Sequence, residues 1–257
     1  MLILSLSVFI GLFVGLLGAG GSVMTTPLFI YVKGMPPQEA IRSSLLVVAV
    51  ATAIALVSHG MRGHIKWRTG FIFGISGMLS AFFGGQIGAH LPGKILLSAF
   101  SSIMLFTGFA MIRGRKNVVQ SDINKPRTYR LILDGALVGF ISGIVGVGGG
   151  FIVVPALVLF GGLAIKEAIA TSLLIGIMNI IGAFAGYSLI FDNESLISFN
   201  SKISFDFKVV MLSILGASFG SIVGSLFSVR VKSEKLNIAF GWLVIVIAAF
   251  ILFENLN

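Results

Sequence analysis

The sequence predicts an all-α polytopic membrane protein made of two inverted repeats of about five hydrophobic segments each, with short broken or re-entrant helices at a central site. Composition, the spacing of apolar segments and a glycine pattern that occurs twice support this prediction. Of the 257 residues, 56% are hydrophobic and 11% charged, with a mean hydropathy of +1.06. This composition excludes soluble enzymes and disordered chains, and the lack of cysteine excludes disulfides and thiolate chemistry.

The apolar segments come in two groups of five. About 20 apolar residues cross the hydrocarbon, and the first group lies at residues 2–18, 22–32, 43–58, 70–89 and 95–112. After a basic stretch, the second group lies at 131–147, 151–163, 169–190, 209–229 and 236–253. We therefore divide the chain into a first transmembrane repeat (1–112), a basic linker (113–130) and a second transmembrane repeat (131–257).

The two halves also resemble each other residue by residue, which indicates a duplication. Six residues of the first half recur 128 positions later: Gly11, Gly15, Gly18, Gly20, Gly21 and Pro27 match Gly139, Gly143, Gly146, Gly148, Gly149 and Pro155. A polar insertion at 192–206 then lengthens one loop, after which residues 81–84 match 217–220.

The basic residues predict the orientation in the membrane. If all five segments of each half cross, thirteen Lys and Arg lie on the side of the 113–130 linker and five on the side of the N-terminus. By the positive-inside rule the linker is cytoplasmic, and both termini face outward from the cytoplasmic (inner) membrane. A hairpin that enters and returns on one side gives the same count, so crossing and re-entrant short segments remain alternatives. Both make the halves inverted, an arrangement typical of secondary transporters.

A glycine-rich run ends the first segment of each half, at residues 15–22 and 143–150. Consecutive glycines break a helix, and within lipid the freed amides need protein, water or a ligand. The next segment of about 12 residues is roughly 18 Å long, so its N-terminus lies inside the membrane and offers N–H groups to an anion. Helix packing is the alternative role of these glycines. We favour an anion site formed by the amides of Gly20, Gly21, Ser22, Gly148, Gly149 and Gly150.

Paired hydroxyls stand at the predicted start of the third segment of each half: Ser43 and Ser44, then Thr171 and Ser172. Hydroxyls donate hydrogen bonds to anions without a fixed charge. N-capping by Ser43 or Thr171 is a second role, compatible with the first.

Two further polar residues are candidates for the same site. Arg42, which the second half replaces with alanine, either binds the anion or extends to the membrane interface. Asn179 lies deep in an apolar segment, where a polar side chain serves a functional site or bonds to another helix.

The two copies of G-x-x-x-G-x-x-G-x-G-G, the proline after each copy, and the Ala-x-x-Ser/Thr-Ser-Leu element resemble the sulfite exporter TauE/SafE family of membrane permeases. The resemblance covers almost the whole chain. It implies a bacterial-type inner-membrane transporter of small sulfur-containing anions such as sulfite, sulfoacetate or other organosulfonates. The first copy has Ser22 where the second has Gly150, so the two half-sites should not be equivalent.

We expect a secondary transporter, not an enzyme, which exports anions by alternating access. No carboxylate lies near the middle of a segment, so the inside-negative potential is the expected driving force. The alternatives are an anion channel and an intramembrane serine protease that uses Ser76 of a Gly-x-Ser-Gly sequence. No cofactor, metal or nucleic acid is expected. The expected partners are a small anion and the lipid bilayer, and the oligomeric state is open, with a homodimer among the options.

Overall fold

The computed structural model describes residues 2–17, 21–113, 128–148, 150–159, 161–195, 207–228 and 233–256. These residues form ten helices and no strand: α1 (Leu2–Leu17), α2 (Gly21–Val32), α3 (Pro37–Gly60), α4 (Trp67–His90), α5 (Gly93–Arg113), α6 (Thr128–Val145), α7 (Gly150–Leu159), α8 (Ile165–Ser195), α9 (Phe207–Phe227) and α10 (Ser233–Leu256). Seven of them, α3 to α6 and α8 to α10, are long and apolar enough to cross a membrane. The all-α polytopic prediction is confirmed.

Each predicted segment coincides with one helix, and two helix boundaries differ from the prediction by five residues or more. α3 begins at Pro37, two turns before the predicted start, because proline is well placed at the first position of a helix. α8 continues to Ser195, into the stretch that we had assigned to a loop. The linker is also shorter than predicted, since α6 begins at Thr128; residues 114–127 lie outside the described part.

Matched turns precede the third helix of each half. Gly34 before α3 has a φ of 68°, and Gly162 before α8 has a φ of 63°. These two glycines are 128 positions apart in the sequence. A side chain with a Cβ rarely adopts this left-handed conformation, so the duplication is visible in the backbone as well as in the residue types.

The first helix of each half packs in parallel against the fourth helix of the other half. Gly15 of α1 lies against the backbone at Ser221 of α9, and Gly143 of α6 lies against Ala81 of α4. Ala81 therefore corresponds in space to Ser221. The sequence match of 81–84 with 217–220 is wrong by one helical turn, because small residues recur every turn along both helices.

The fifth helices, α5 and α10, run in opposite directions. Near the end of α10, the Asn255 amide donates a hydrogen bond to the carbonyl of Lys94, at the start of α5, over 3.0 Å. Further along, Gly108 packs against Gly241.

The third helices, α3 and α8, are also antiparallel. Ala55 near the end of α3 shares a buried cluster with Leu173 near the start of α8. At the other end of the pair, Ile41 shares a cluster with Tyr187.

The short helices form hairpins. Gly21 at the start of α2 packs against Val14 of α1 and against Val48 in the middle of α3. α2 then runs back beside the first half of α3, where the Thr26 and Ser44 hydroxyls are 2.9 Å apart. α1 extends to the last turn of α3, where Gly15 meets His59, whereas α2 begins halfway along α3 and so does not span its length.

Candidate functional site

The two hairpins meet in the interior of the molecule. The backbone N–H of Gly148, which precedes α7, donates a hydrogen bond to the Ser22 hydroxyl at the start of α2, over 3.1 Å. Gly148 also packs against the side chain of Ile180. Gly21 and Gly150, the first residues of α2 and α7, are buried. Gly20 and Gly149 lie outside the described residues.

A matched pair of serines lies on the third helices beside this contact. Ser44 and Ser172 are fully buried, and each hydroxyl donates to the carbonyl three residues earlier, at 2.8 Å. The Ser44 hydroxyl is also 2.9 Å from that of Thr26 on α2. A hydroxyl that bonds within its own helix can rotate toward a ligand at little cost, so these two serines suit a site that fills and empties.

The N-capping role predicted for Ser43 and Thr171 is wrong, because both residues lie inside helices. α3 is preceded by Pro36 without a side-chain cap, and Ser43 is buried two turns into that helix. Thr171 instead accepts a hydrogen bond from the backbone N–H of Lys66, at 3.0 Å. Lys66 directly precedes α4, so Thr171 holds the start of a helix from the other half of the protein.

Asn179 is fully buried in α8, and neither the nitrogen nor the oxygen of its amide has a hydrogen-bond partner. Its oxygen lies beside Gly77 of α4, close to the carbonyl of Gly135 on α6. Asn179 therefore faces the junction of α4, α6 and α8, one helical turn from Gly176, which lies against Gly148. An unpaired buried amide costs about 1–3 kcal/mol.

Arg42 is half-buried in the second turn of α3, at the end of that helix next to Lys33 and Gly34. Fewer than two turns separate it from Val48, the residue of α3 that packs at the start of α2. Arg42 is therefore near the end of α3 and less buried than the hydroxyls of Ser22 and Ser44.

The sulfite exporter TauE/SafE family model matches residues 3–251. The chain belongs to this family. A probable membrane transporter protein of Xylella fastidiosa strain Temecula1 is 33% identical over 96% of this chain and 92% of its own length. Probable membrane transporter proteins MJ0441 of Methanocaldococcus jannaschii and YdhB of Bacillus subtilis are 23% and 25% identical, covering 98% and 89% of this chain and 96% and 90% of their own lengths. No solved structure matches the chain. The protein is a multi-pass membrane transporter.

The protease alternative finds no support in this TauE/SafE member. The Ser76 hydroxyl donates to the carbonyls of Ile72 and Phe73, and it packs beside Gly135. The three histidines of the chain contact other groups: the carbonyls of Gly15, Arg62 and Gln86. The described residues therefore place no histidine next to Ser76 to act as a general base.

Four further polar residues lie in the interior of the protein, and the sequence did not identify them as candidates. Thr26 contacts Ser44, and the Ser221 hydroxyl donates to the Ala51 carbonyl at 2.7 Å. His59 is buried with its Nε2 3.1 Å from the Gly15 carbonyl oxygen. The fourth residue, Tyr187, donates a hydrogen bond from its hydroxyl to the Ile144 carbonyl at 2.7 Å. Only Thr26 had a visible signal, because it is one of two adjacent threonines in an apolar segment.

Proposed function

We propose that this transporter moves small sulfur-containing anions, such as sulfite, sulfoacetate or other organosulfonates, out of the cell by alternating access. The observation that carries the proposal is the hydrogen bond from the Gly148 N–H to the Ser22 hydroxyl. It brings the two helix breaks of the chain together in the interior, where backbone N–H groups and hydroxyls are the available donors. An anion that enters between the hairpins replaces protein acceptors at these donors.

The charge of the interior supports an anionic substrate. Among the described residues, the buried polar side chains are hydroxyls, the Asn179 amide and His59, and none is a carboxylate. An anion that leaves the cytoplasm therefore meets donors and no fixed negative charge. The inside-negative membrane potential favours its exit by about 2.3 kcal/mol per charge per 100 mV.

The predicted inversion of the two repeats favours alternating access. α3 runs antiparallel to α8, and α5 antiparallel to α10, as the buried cluster shared by Tyr187 and Ile41 and the hydrogen bond from Asn255 to Lys94 indicate. Exchanging the roles of two oppositely directed halves converts an opening on one side into an opening on the other. The proposed substrate site comprises Gly20, Gly21, Ser22, Arg42, Ser43, Ser44, Gly148, Gly149, Gly150, Thr171, Ser172 and Asn179.

Anion binding is tested by the thermal stability of the detergent-purified protein with sulfite, thiosulfate, sulfoacetate, taurine, sulfate and chloride. A ligand of the folded state raises the melting temperature by mass action. We expect a selective rise with a sulfur-containing anion, which Ser44→Ala reduces. The control is Ser102→Ala, since Ser102 is exposed and bonds to the Ser98 carbonyl of its own helix. A well-behaved transition that none of the six solutes shifts contradicts the proposal.

Alternating access is tested by counterflow in proteoliposomes loaded with the anion that gave the shift. A carrier accumulates labelled external anion while unlabelled anion leaves, because each half-cycle needs a bound substrate. A channel only equilibrates the label. Counterflow supports the carrier, and its absence together with rapid equilibration indicates the channel.

A further inference from the structure

His59 and Tyr187 hold equivalent positions in the two repeats, 128 residues apart. Each lies on the third helix of its repeat and contacts a carbonyl in the last turn of the first helix. His59 Nε2 is 3.1 Å from the Gly15 oxygen, and the Tyr187 hydroxyl donates to the Ile144 oxygen at 2.7 Å. Carbonyls in the last turn of a helix lack partners within that helix. Each contact therefore satisfies one of them and holds the hairpin against α3 or α8.

The two contacts lie at opposite ends of the molecule, because α3 and α8 are antiparallel. His59 is next to the connection between α3 and α4, which carries Arg62, His64 and Lys66 and which the charge distribution predicts to be cytoplasmic. Tyr187 lies toward the other side. An opening between α1 and α3 on the cytoplasmic side would break the contact of His59 with Gly15.

The two contacts differ in their chemistry. A tyrosine hydroxyl remains neutral at physiological pH, whereas histidine is the side chain that ordinarily gains or loses a proton there. His59 is 8% exposed, and its neutral ring makes the bond to Gly15 with the proton on Nε2. The asymmetry gives the cytoplasmic contact a dependence on protons that the outer contact lacks.

We propose that His59 is a proton-binding site that controls the cytoplasmic opening of the transporter, and that its protonation releases α1. The proposal rests on the transporter function and not on the identity of the anion. It makes the transport rate depend on the pH of the cytoplasmic side and not on that of the outer side.

The charges around His59 support the direction of this effect. The loop that follows α3 brings Arg62 and His64 to this end, and its Lys66 is paired over 2.9 Å with Glu167, which follows Lys166 at the start of α8. α1 has no charged residue, and the one charge on α9, Lys208, is at its far end. The Arg62 guanidinium is fixed there by hydrogen bonds to the Ser225 carbonyl at 2.8 Å and the Ser228 hydroxyl at 3.0 Å. The imidazolium keeps its Nε2–H bond to Gly15, so the closed arrangement is opposed by the cost of burying a second positive charge near Arg62 in a contact that excludes water.

A first experiment needs no substrate. The chain has no cysteine, so Ser225→Cys, at a residue that packs against Gly15, introduces a single thiol under α1. Its maleimide labelling, corrected for thiol ionisation with the same cysteine in unfolded protein, reports the opening. We expect the rate to rise as pH falls from about 8 to 5.5, by up to about tenfold per unit, the limit for one proton. With His59→Gln, which keeps an N–H donor, the rate should not change with pH.

A second experiment measures sulfoacetate counterflow in proteoliposomes, because the sulfonate and carboxylate charges stay constant in this range. We expect the rate to follow the pH on the side of the α3–α4 connection. His59→Gln and His59→Tyr, which copies the second repeat, should make the rate independent of pH. His64→Gln is the matched control, since His64 is exposed and bonds to the Arg62 carbonyl, and it should keep the wild-type dependence.

The proposal is overturned if His59→Gln retains the wild-type pH dependence in the labelling experiment, or if the rate of counterflow follows the pH of the outer side. Absence of sulfoacetate counterflow in the wild type, with pH-dependent labelling that His59→Gln removes, counts against the proposed substrate class and supports the role of His59.

Discussion

The Ser22 hydroxyl accepts a hydrogen bond from the backbone N–H of Gly148, and this bond joins the hairpin of the first repeat to that of the second. The second repeat has Gly150 at the position of Ser22. The difference between the two copies of the glycine run therefore has a physical reason. The Ser22 side chain of the first copy accepts the hydrogen bond of the buried Gly148 amide in the second copy.

Replacing Ser22 by alanine should destabilise the protein without filling or emptying much space. The Gly148 N–H loses its acceptor in a buried position, which costs about 1–3 kcal/mol. The measurement is the free energy of unfolding in detergent, with Ser102→Ala as the exposed control. Equal stability of the Ser22 and Ser102 variants would show that the Gly148 amide finds its partner elsewhere.

Replacing Asn179 should abolish transport without lowering the stability of the protein. Its amide is buried without a partner, so Asn179→Leu removes an unsatisfied group while keeping a side chain of similar size. We expect the melting temperature to stay the same or rise, corresponding to about 1–2 kcal/mol, and anion counterflow to be lost. Ser213→Ala is the control, because Ser213 is also buried without a partner but lies outside the proposed site. Retained counterflow in Asn179→Leu would remove Asn179 from the site.

The sequence was sufficient for the ten helices and the duplication, since both depend on hydropathy and on residues that recur at a fixed spacing. It could not decide between crossing and re-entrant hairpins, because both give the same distribution of charge. The contact of Gly21 with Val48 shows that α2 begins halfway along α3. The role of Thr171 was equally inaccessible, because its partner Lys66 is 105 residues away and on a different helix. Long-range contacts of this kind leave no mark on local periodicity.

Gly146 should tolerate alanine much less well than Gly34 does. Both have a positive φ, 65° and 68°, so the backbone alone costs each alanine about 1–2 kcal/mol. A Cβ on Gly146 would also collide with the side chain of Ile41, whereas the space around Gly34 is open. Overpacking adds about 1–3 kcal/mol or more. The free energy of unfolding should therefore fall by this additional amount for Gly146→Ala compared with Gly34→Ala.

The Ile41 contact can be separated from the backbone strain by a double variant. Ile41→Ala in the Gly146→Ala background removes the colliding atoms and leaves φ unchanged, so the two substitutions should be coupled by about 1–3 kcal/mol. Simple additivity of the two effects would mean that the backbone moves away from Ile41 instead of colliding with it.

The orientation of the transporter can be read from single cysteines, because the chain has none of its own. His64 in the α3–α4 connection and Pro92 in the α4–α5 connection are both exposed and lie at opposite ends of α4. The excess of basic residues predicts that the side of His64 is cytoplasmic. In intact spheroplasts, an impermeant maleimide should therefore label Pro92→Cys and reach His64→Cys only after the membrane is permeabilised. The reverse pattern would place both termini in the cytoplasm, and it would move the contact between His59 and Gly15 to the outer side of the membrane.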